Sequence, residues 1–310
     1  MPHKSVSMLT RDVDAFLALG RRATPDFGPA TAKAAFLVAP DGFALAAESA
    51  TDNRYMAGAA AFDATAAGDE HRALQRALAE CLPVVTFPGV SGMPDGLFPN
   101  NVFATIPGHA IIGRMRHRVR QREAGRRDIR SFLRDVLGYQ EINLSEQPHP
   151  CELTGALVID RARGLGFCGL SERCDIEGAA LMHEAFGLRA TLALNLAPGE
   201  YHTNVVCAVL AGRAVMYHSA GFADCAIDEV FSTLYAAHAI RVSAMEQAAF
   251  ACNSIALSDD VVWMSAAADA ALSVATRNAI SHAGFTVRST SLAAIEAAGG
   301  SLRCCVAEIF

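Results

Sequence analysis

Five polar residues recur along this chain at nearly constant intervals: Asn101, Glu152, His202, Asn253 and Cys304 are separated by 51, 50, 51 and 51 residues. Each stands immediately before a short β-rich segment. Such segments pair as predicted hairpins over 102–114, 156–169, 205–218 and 254–265. Hydrophobic periodicity predicts amphipathic helices near 65–81, 120–137, 176–187, 226–239 and 266–283. A fifth hairpin forms only if the last segment, 303–310, joins the early segment 34–39, which closes the chain on itself and protects its sheet edges. One hairpin and one helix per repeat of roughly 50 to 60 residues predict an α/β fold. The expected architecture is a five-bladed, pseudo-fivefold α/β propeller. It forms a single domain over 1–310, with 1–30 as an N-terminal extension.

Equivalent positions in such a ring face one axis, so the spacing gathers an amide, a carboxylate, an imidazole, a second amide and a thiol at one point. This selects Cys304 among nine cysteines, which show no CxxC pair and otherwise read as reduced, buried side chains. If 303–310 is a strand throughout, alternation turns only one of Cys304 and Cys305 to the axis and leaves Cys305 in the core. With 52% hydrophobic and 19% charged residues, the chain has ample material for a closed core.

A net charge of -6 supplies no general field for nucleic acid. The eight arginines within 114–130 lack interleaved aromatics and read as a charged blade edge or a loop over the pocket mouth. No apolar run approaches the roughly 20 residues that span a bilayer. Charges at Lys4, Arg11, Asp12 and Asp14 interrupt what would be a signal peptide's apolar region, so a cytoplasmic location and no membrane partner are expected. Phosphate-loop, dinucleotide and metal-ligand signatures are absent from the sequence, and no cofactor or metal is expected. Alanine-rich, weakly charged helix surfaces leave room for a homodimer.

The segments FPNN (98–101), ELTG (152–155), GLSER (169–173), YHTNV (201–205) and GGSLRC (299–304), with the terminal AEIF, resemble the arginine deiminase and amidinotransferase superfamily. They are most similar to its citrulline-hydrolase-like branch. The resemblance implies Cys304 as nucleophile, His202 as general acid/base and Glu152 as the catalytic glutamate, although ELTG carries leucine where the superfamily has glycine. It also implies Arg173 as a grip for the substrate carboxylate, which the planar guanidinium fork suits. Arg303 is a second candidate for that role. Asp175 reads as the N-cap of the following helix. Gly299 and Gly300 allow close approach to a planar substrate.

The superfamily's common reaction is thiolate attack on the central carbon of a guanidino-like group, giving an S-bound intermediate. Asn100 and Asn204 stand where arginine deiminases carry guanidinium-binding acids. With Asn101 and Asn253, they make the site better suited to a neutral ureido group, because amides supply both donors and acceptors. The expected function is hydrolysis of citrulline or a related ureido or guanidino amino acid, releasing an ornithine-type amine, ammonia and carbon dioxide. Alternatives are deimination of arginine or dimethylarginine, amidino transfer, and ligand binding without catalysis. Loops near 41–60 and 87–98 are expected to rim the pocket.

Overall fold

The computed structural model describes residues 7–56 and 62–310. Within them the chain forms a mixed α/β fold of five small sheets, each built from an antiparallel hairpin and a third strand parallel to the hairpin's second arm. Phe103–Ile106 and His109–Ile112 pair with Gln140–Asn143. Leu157–Asp160 and Leu165–Leu170 pair with Ala190–Asn195. Cys207–Leu210 and Ala214–Tyr217 pair with Ala239–Arg241. Ile255–Ala256 and Val261–Ser265 pair with Thr286–Thr290. In the fifth sheet Ala307–Ile309 runs antiparallel to Ala34–Val38, which runs parallel to Val84–Phe87. The last strand therefore joins the early strand Ala34–Val38 in one sheet, as expected for 303–310 and 34–39.

The parallel third strand follows from the helix between the second and third strands, since a parallel return needs a crossover. Ala64–Ala79 shows how such a helix is specified. Asp63 caps it by accepting from the N–H groups of Thr65 and Ala66, and Ala67, His71, Leu74 and Leu78 form its buried stripe. Burying each leucine contributes about 2 kcal/mol. First strands of adjacent sheets lie side by side: Leu157–Asp160 against Cys207–Leu210, the latter against Ile255–Ala256, and Ala307–Ile309 against Phe103–Ile106.

Several sequence expectations are corrected here. The third strands were not predicted. The helix expected over 120–137 is a succession of short turns, because Arg126 adopts an extended conformation after Gly125, and glycine is a poor interior helix residue. The helix expected over 266–283 divides into Ala266–Ala271 and Val274–His282, the second capped by Ser273. Residues 303–310 are not one strand: Leu302–Cys305 is a helical turn and only Ala307–Ile309 is extended. The first six residues of the expected extension lie outside the described residues. Met8–Thr10 adds a parallel edge strand to Ala190–Asn195, and Val13–Gly20 buries Phe16 and Leu17 against that sheet.

Candidate active site

The chain enters four of the five hairpins through a single helical turn: Pro99–Asn101, Leu153–Ala156, Thr203–Val205 and Leu302–Cys305. A belt of hydrogen bonds joins these turns. Thr154 Oγ1 donates to the Asn100 carbonyl at 3.0 Å and Asn204 Nδ2 to the Thr154 carbonyl at 3.2 Å. Asn253 Nδ2 donates to the Asn204 carbonyl at 3.0 Å, and the Arg303 N–H to the Asn253 carbonyl at 3.3 Å. The belt brings Asn100, Asn101, Glu152, His202, Asn204, Asn253 and Cys304 together. All are buried. Glu152 and His202 sit on the cap before their turns, whereas Asn101 and Cys304 lie within theirs, so the equivalence read from the spacing holds to within one turn. Gly155 packs at the centre: a Cβ there would come 2.5 Å from Asn101 Oδ1 and 2.9 Å from His202 Nδ1.

His202 Nε2 lies 2.8 Å from Glu152 Oε2. A carboxylate only accepts, so Nε2 carries the proton, and Nδ1 holds the free lone pair in the neutral ring. That Nδ1 is buried with no partner among the described residues. Burial holds the imidazole's pKa below its ordinary value despite the pull of Glu152. Burial would raise the pKa of Glu152, but the charge of Arg173, the His202 hydrogen bond and the charge of Arg120 outweigh it and hold the carboxyl well below its usual range. The pair is therefore a carboxylate bonded to a neutral imidazole, whose unpaired ring nitrogen is available to exchange a proton.

Cys304 Sγ lies 3.3 Å from Asn253 Nδ2. Burial pushes its thiol above the ordinary value, against the Ser301 backbone, the Asn253 amide and the charges of Arg303 and Arg120. Alkylation of Cys304 in the free protein by a small haloacetamide is accordingly expected to keep accelerating as pH rises past about 8.5. A rate that levels off near pH 7 would contradict this. Cys305 is in the core, with Sγ 3.5 Å from the Ser301 carbonyl. Successive side chains around a helical turn, rather than strand alternation, separate the two thiols.

Residues 49–56 and the loop around Asp95 form the rim expected from the sequence; within the expected segment 41–60, residues 57–60 lie outside the described ones. A small cavity is lined by Ser49, Asn53, Asp95, Asn101, Arg120 and Arg173, with Tyr201, Gly299 and Gly300. Gly299 has φ +82°, and its carbonyl accepts from Tyr201 Oη at 2.6 Å and from Asn53 Nδ2 at 3.1 Å. Arg173 grips a carboxylate, but a protein one: Nε and Nη2 bind Asp52 at 2.8 and 2.6 Å, and Nη1 lies 3.2 Å from Glu152. His117 meets the same Asp52 at 3.1 Å.

Arg303 is not brought to this cavity. It pairs with Glu308 at 2.8 Å and, with Asn204, lines a separate cavity among the first strands. Asp175 caps its helix by accepting from Gly178 N–H at 2.7 Å. Among the described residues, His149, Asp175 and Glu177 are close enough to share a metal ion, but His149 and Asp175 already pair with each other.

Sequence reasoning missed Asp52, Asp95, Arg120, Glu123 and Tyr201. The arginine run that includes Arg120 reads from sequence as a charged blade edge or a loop over the pocket mouth. The segment does flank the site, and the His117 pair with Asp52 holds it there. Arg120 itself, however, is buried, with Nε and Nη2 on the Glu123 carboxylate at 3.0 and 2.8 Å. The RxxE spacing was the one available signal, since it can place both side chains on one face of a turn.

Residues 39–310 match the family described as N,N dimethylarginine dimethylhydrolase, eukaryotic. The chain belongs to this family. It is thus a hydrolase of the arginine deiminase and amidinotransferase superfamily. This member of the N,N dimethylarginine dimethylhydrolase family is 24% identical to an uncharacterized protein of Caenorhabditis elegans, over 74% of the chain and 77% of the relative. It is 20% identical to ArgZ of Synechocystis, a bifunctional arginine dihydrolase/ornithine cyclodeaminase, over 76% of the chain and 32% of ArgZ. It thus matches about a third of that longer protein. The substrate-bound N-terminal domain of ArgZ superposes with a TM-score of 0.78 at 21% identity, covering 89% of this chain and 97% of that domain. A dimethylarginine dimethylaminohydrolase adduct with S-methyl-L-thiocitrulline superposes with a TM-score of 0.68 at 19% identity, covering 90% of this chain and all of that one. At these identities the superpositions show a shared fold. No helix among the described residues is long and apolar enough to cross a membrane.

Proposed function

We propose that this protein hydrolyses a ureido amino acid of the citrulline type through a thioester-like intermediate on Cys304, on a five-bladed α/β propeller whose axis passes through the belt. Cys304 gives its proton to the lone pair of His202 Nδ1 and attacks the ureido carbon as the thiolate, moving an electron pair onto its oxygen. Collapse of the adduct expels one amine, which takes a proton from the His202 imidazolium, and leaves an S-bound carbonyl compound. His202 Nδ1 then deprotonates water, whose attack restores the thiolate and yields a carbamate that breaks down to amine and carbon dioxide. The sum is citrulline plus water giving ornithine, ammonia and carbon dioxide. Glu152 holds the imidazole and stabilises its charged form. Arginine is a substrate on this reading if it passes through two hydrolytic rounds.

The observation that carries the choice of group is Asn100. Among the described residues neither its Oδ1 nor its Nδ2 has a partner, so the buried amide has one acceptor and one donor side to offer a ligand whichever way it is turned. A ureido group offers both, whereas a guanidinium offers donors only and would leave Asn100 Nδ2 unmatched. Among the described residues Asn101 Oδ1 and His202 Nδ1, both next to Gly155, are unpartnered too. The likeness to ArgZ, an arginine dihydrolase, supports a guanidino-derived amino acid as the substrate class.

Product analysis with citrulline, arginine, methylated arginines, agmatine and N-acylarginines tests the reading. Release of an ornithine-type amine from a ureido substrate is expected. Clean conversion of arginine to citrulline, with citrulline untouched, would overturn it. The Asn100→Asp variant is expected to lose about 10- to 100-fold in kcat/KM on citrulline, the cost of misplacing a charge against a neutral group. It should at the same time bind arginine more tightly, as equilibrium binding to a Cys304→Ala background would register.

A further inference from the structure

The separate cavity among the first strands lies against the belt, since Thr154 and Asn204, two of its links, form part of the wall. Its charged residues are Arg161, Arg303 and Glu308, and their charges do not balance. Arg303 donates from Nη2 to Glu308 and from Nη1 to the Val306 carbonyl, both at 2.8 Å. Arg161 is left without a counter-charge. Its Nη1 donates to the Thr105 carbonyl at 3.1 Å, and among the described residues no carboxylate pairs with it and no acceptor meets Nε or Nη2. The guanidinium is held in place by stacking, with its central carbon 4.2 Å from the Phe310 ring centroid and 5.1 Å from that of Phe186. Stacking occupies the face of a guanidinium and leaves its N–H edge free to donate. Burial pulls the pKa of Arg161 down to about 10, the direction expected of a cation short of solvent and of a partner. Ser254 adds a neutral donor to the same wall. Its hydroxyl belongs to a residue only 3% exposed, and its partner among the described residues is the Met216 sulfur at 4.0 Å, a weak acceptor.

We propose that this cavity binds a small oxyanion, a carboxylate or a phosphate, with Arg161 as its charged anchor and Ser254 as a hydroxyl donor. A sheltered arginine with one acceptor for its five N–H groups is a costly arrangement, and an anion corrects it by supplying both lone pairs and charge. The N–H groups on Nε and Nη2 form the parallel pair that meets two oxygens of one oxyanion. Glu308 stands in the same wall, but Arg303 neutralises it, so the lining carries one net positive charge. None of Cys304, His202 and Glu152 lines this cavity. Its occupancy is therefore independent of which amino acid the protein hydrolyses.

Isothermal titration with inorganic phosphate and with acetate, each at constant ionic strength in chloride buffer, tests the assignment. The proteins are the wild type, Arg161→Gln, Arg161→Lys and Ser254→Ala, with thermal melting as a check on folding. At least one anion is expected to bind the wild type with a dissociation constant of about 1 mM or tighter, the affinity that two charged hydrogen bonds can supply. Arg161→Gln should weaken that binding about 10- to 100-fold. Arg161→Lys, which keeps the charge but loses the fork, should weaken it by less, and Ser254→Ala, which leaves the cation in place, by about fivefold. Saturating anion should raise the melting temperature of the wild type and leave that of Arg161→Gln unmoved. Phosphate bound alone would identify a tetrahedral oxyanion as the class, and acetate bound alone a carboxylate; with the loss in the Arg161 variants, either supports the site. A wild type that binds neither anion would overturn the assignment. So would binding that is unchanged in a folded Arg161 variant, which would place the anion elsewhere.

Discussion

Replacing Cys304 with alanine is expected to lower kcat by at least about 10⁴ while leaving the fold intact, because the covalent intermediate forms on its sulfur. The thiol is small and its side-chain polar contact among the described residues is with Asn253, so the melting temperature should move little. Cys305→Ala supplies the control. That thiol is equally buried but turned into the core against Ser301, and its loss should spare kcat. Steady-state turnover of the two variants side by side separates a nucleophile from a packed cysteine. Comparable activity in both would contradict the assignment of Cys304.

The second large effect concerns stability. Arg173 is the shared partner of Asp52 and Glu152, and Arg173→Ala would leave Glu152 buried beside a neutral imidazole. Removing one member of a buried ionic cluster costs about 3–5 kcal/mol, which corresponds to a melting temperature lower by roughly 10 °C. The pH dependence has a definite sign. The carboxyl of Glu152 is held below its ordinary value in the folded protein, so its contribution is present above about pH 4.3 and is lost as pH falls through the lowered value. Arg173→Ala should therefore narrow the gap in stability between pH 7 and low pH, as urea denaturation at several pH values would show. A variant within about 1 kcal/mol of wild type at neutral pH would mean that the network contributes little.

What the sequence disclosed and what it hid follow from the range over which each feature is encoded. The convergence of Asn101, Glu152, His202, Asn253 and Cys304 was legible because five repeated sheets put equivalent positions at a constant spacing, and the belt that joins them is local to each turn. Hairpins such as 205–218 were legible for a similar reason, since alternation and a tight turn are properties of a dozen residues. The third strands were not: Gln140–Asn143 reads QEIN and Thr286–Thr290 reads TVRST, short and polar, and they become strands only because a crossover helix lays them against a formed hairpin.

Arg120 was illegible for a different reason. Its seven companions within 114–130 include exposed residues such as Arg116, Arg118 and Arg122, and apart from the RxxE spacing nothing local distinguishes a solvated arginine from one that turns inward onto Glu123. Arg303 shows the converse. Its position beside Cys304 suggested the pocket, but the helical turn at Leu302–Cys305 sends it to Glu308 and the separate cavity. Asp52 and Asp95 lie in irregular loops whose direction is set by what they meet, here Arg173 for the first and Ser49 and Arg120 for the second.

The most direct test of the central claim is to mix the wild-type protein with citrulline, quench in acid during turnover, and locate any adduct by peptide mass spectrometry. A substrate-derived carbonyl group is expected on the peptide carrying Cys304, absent from Cys304→Ala and lost as ornithine accumulates. Turnover with no adduct under any quench time, or an adduct on another cysteine, would contradict it.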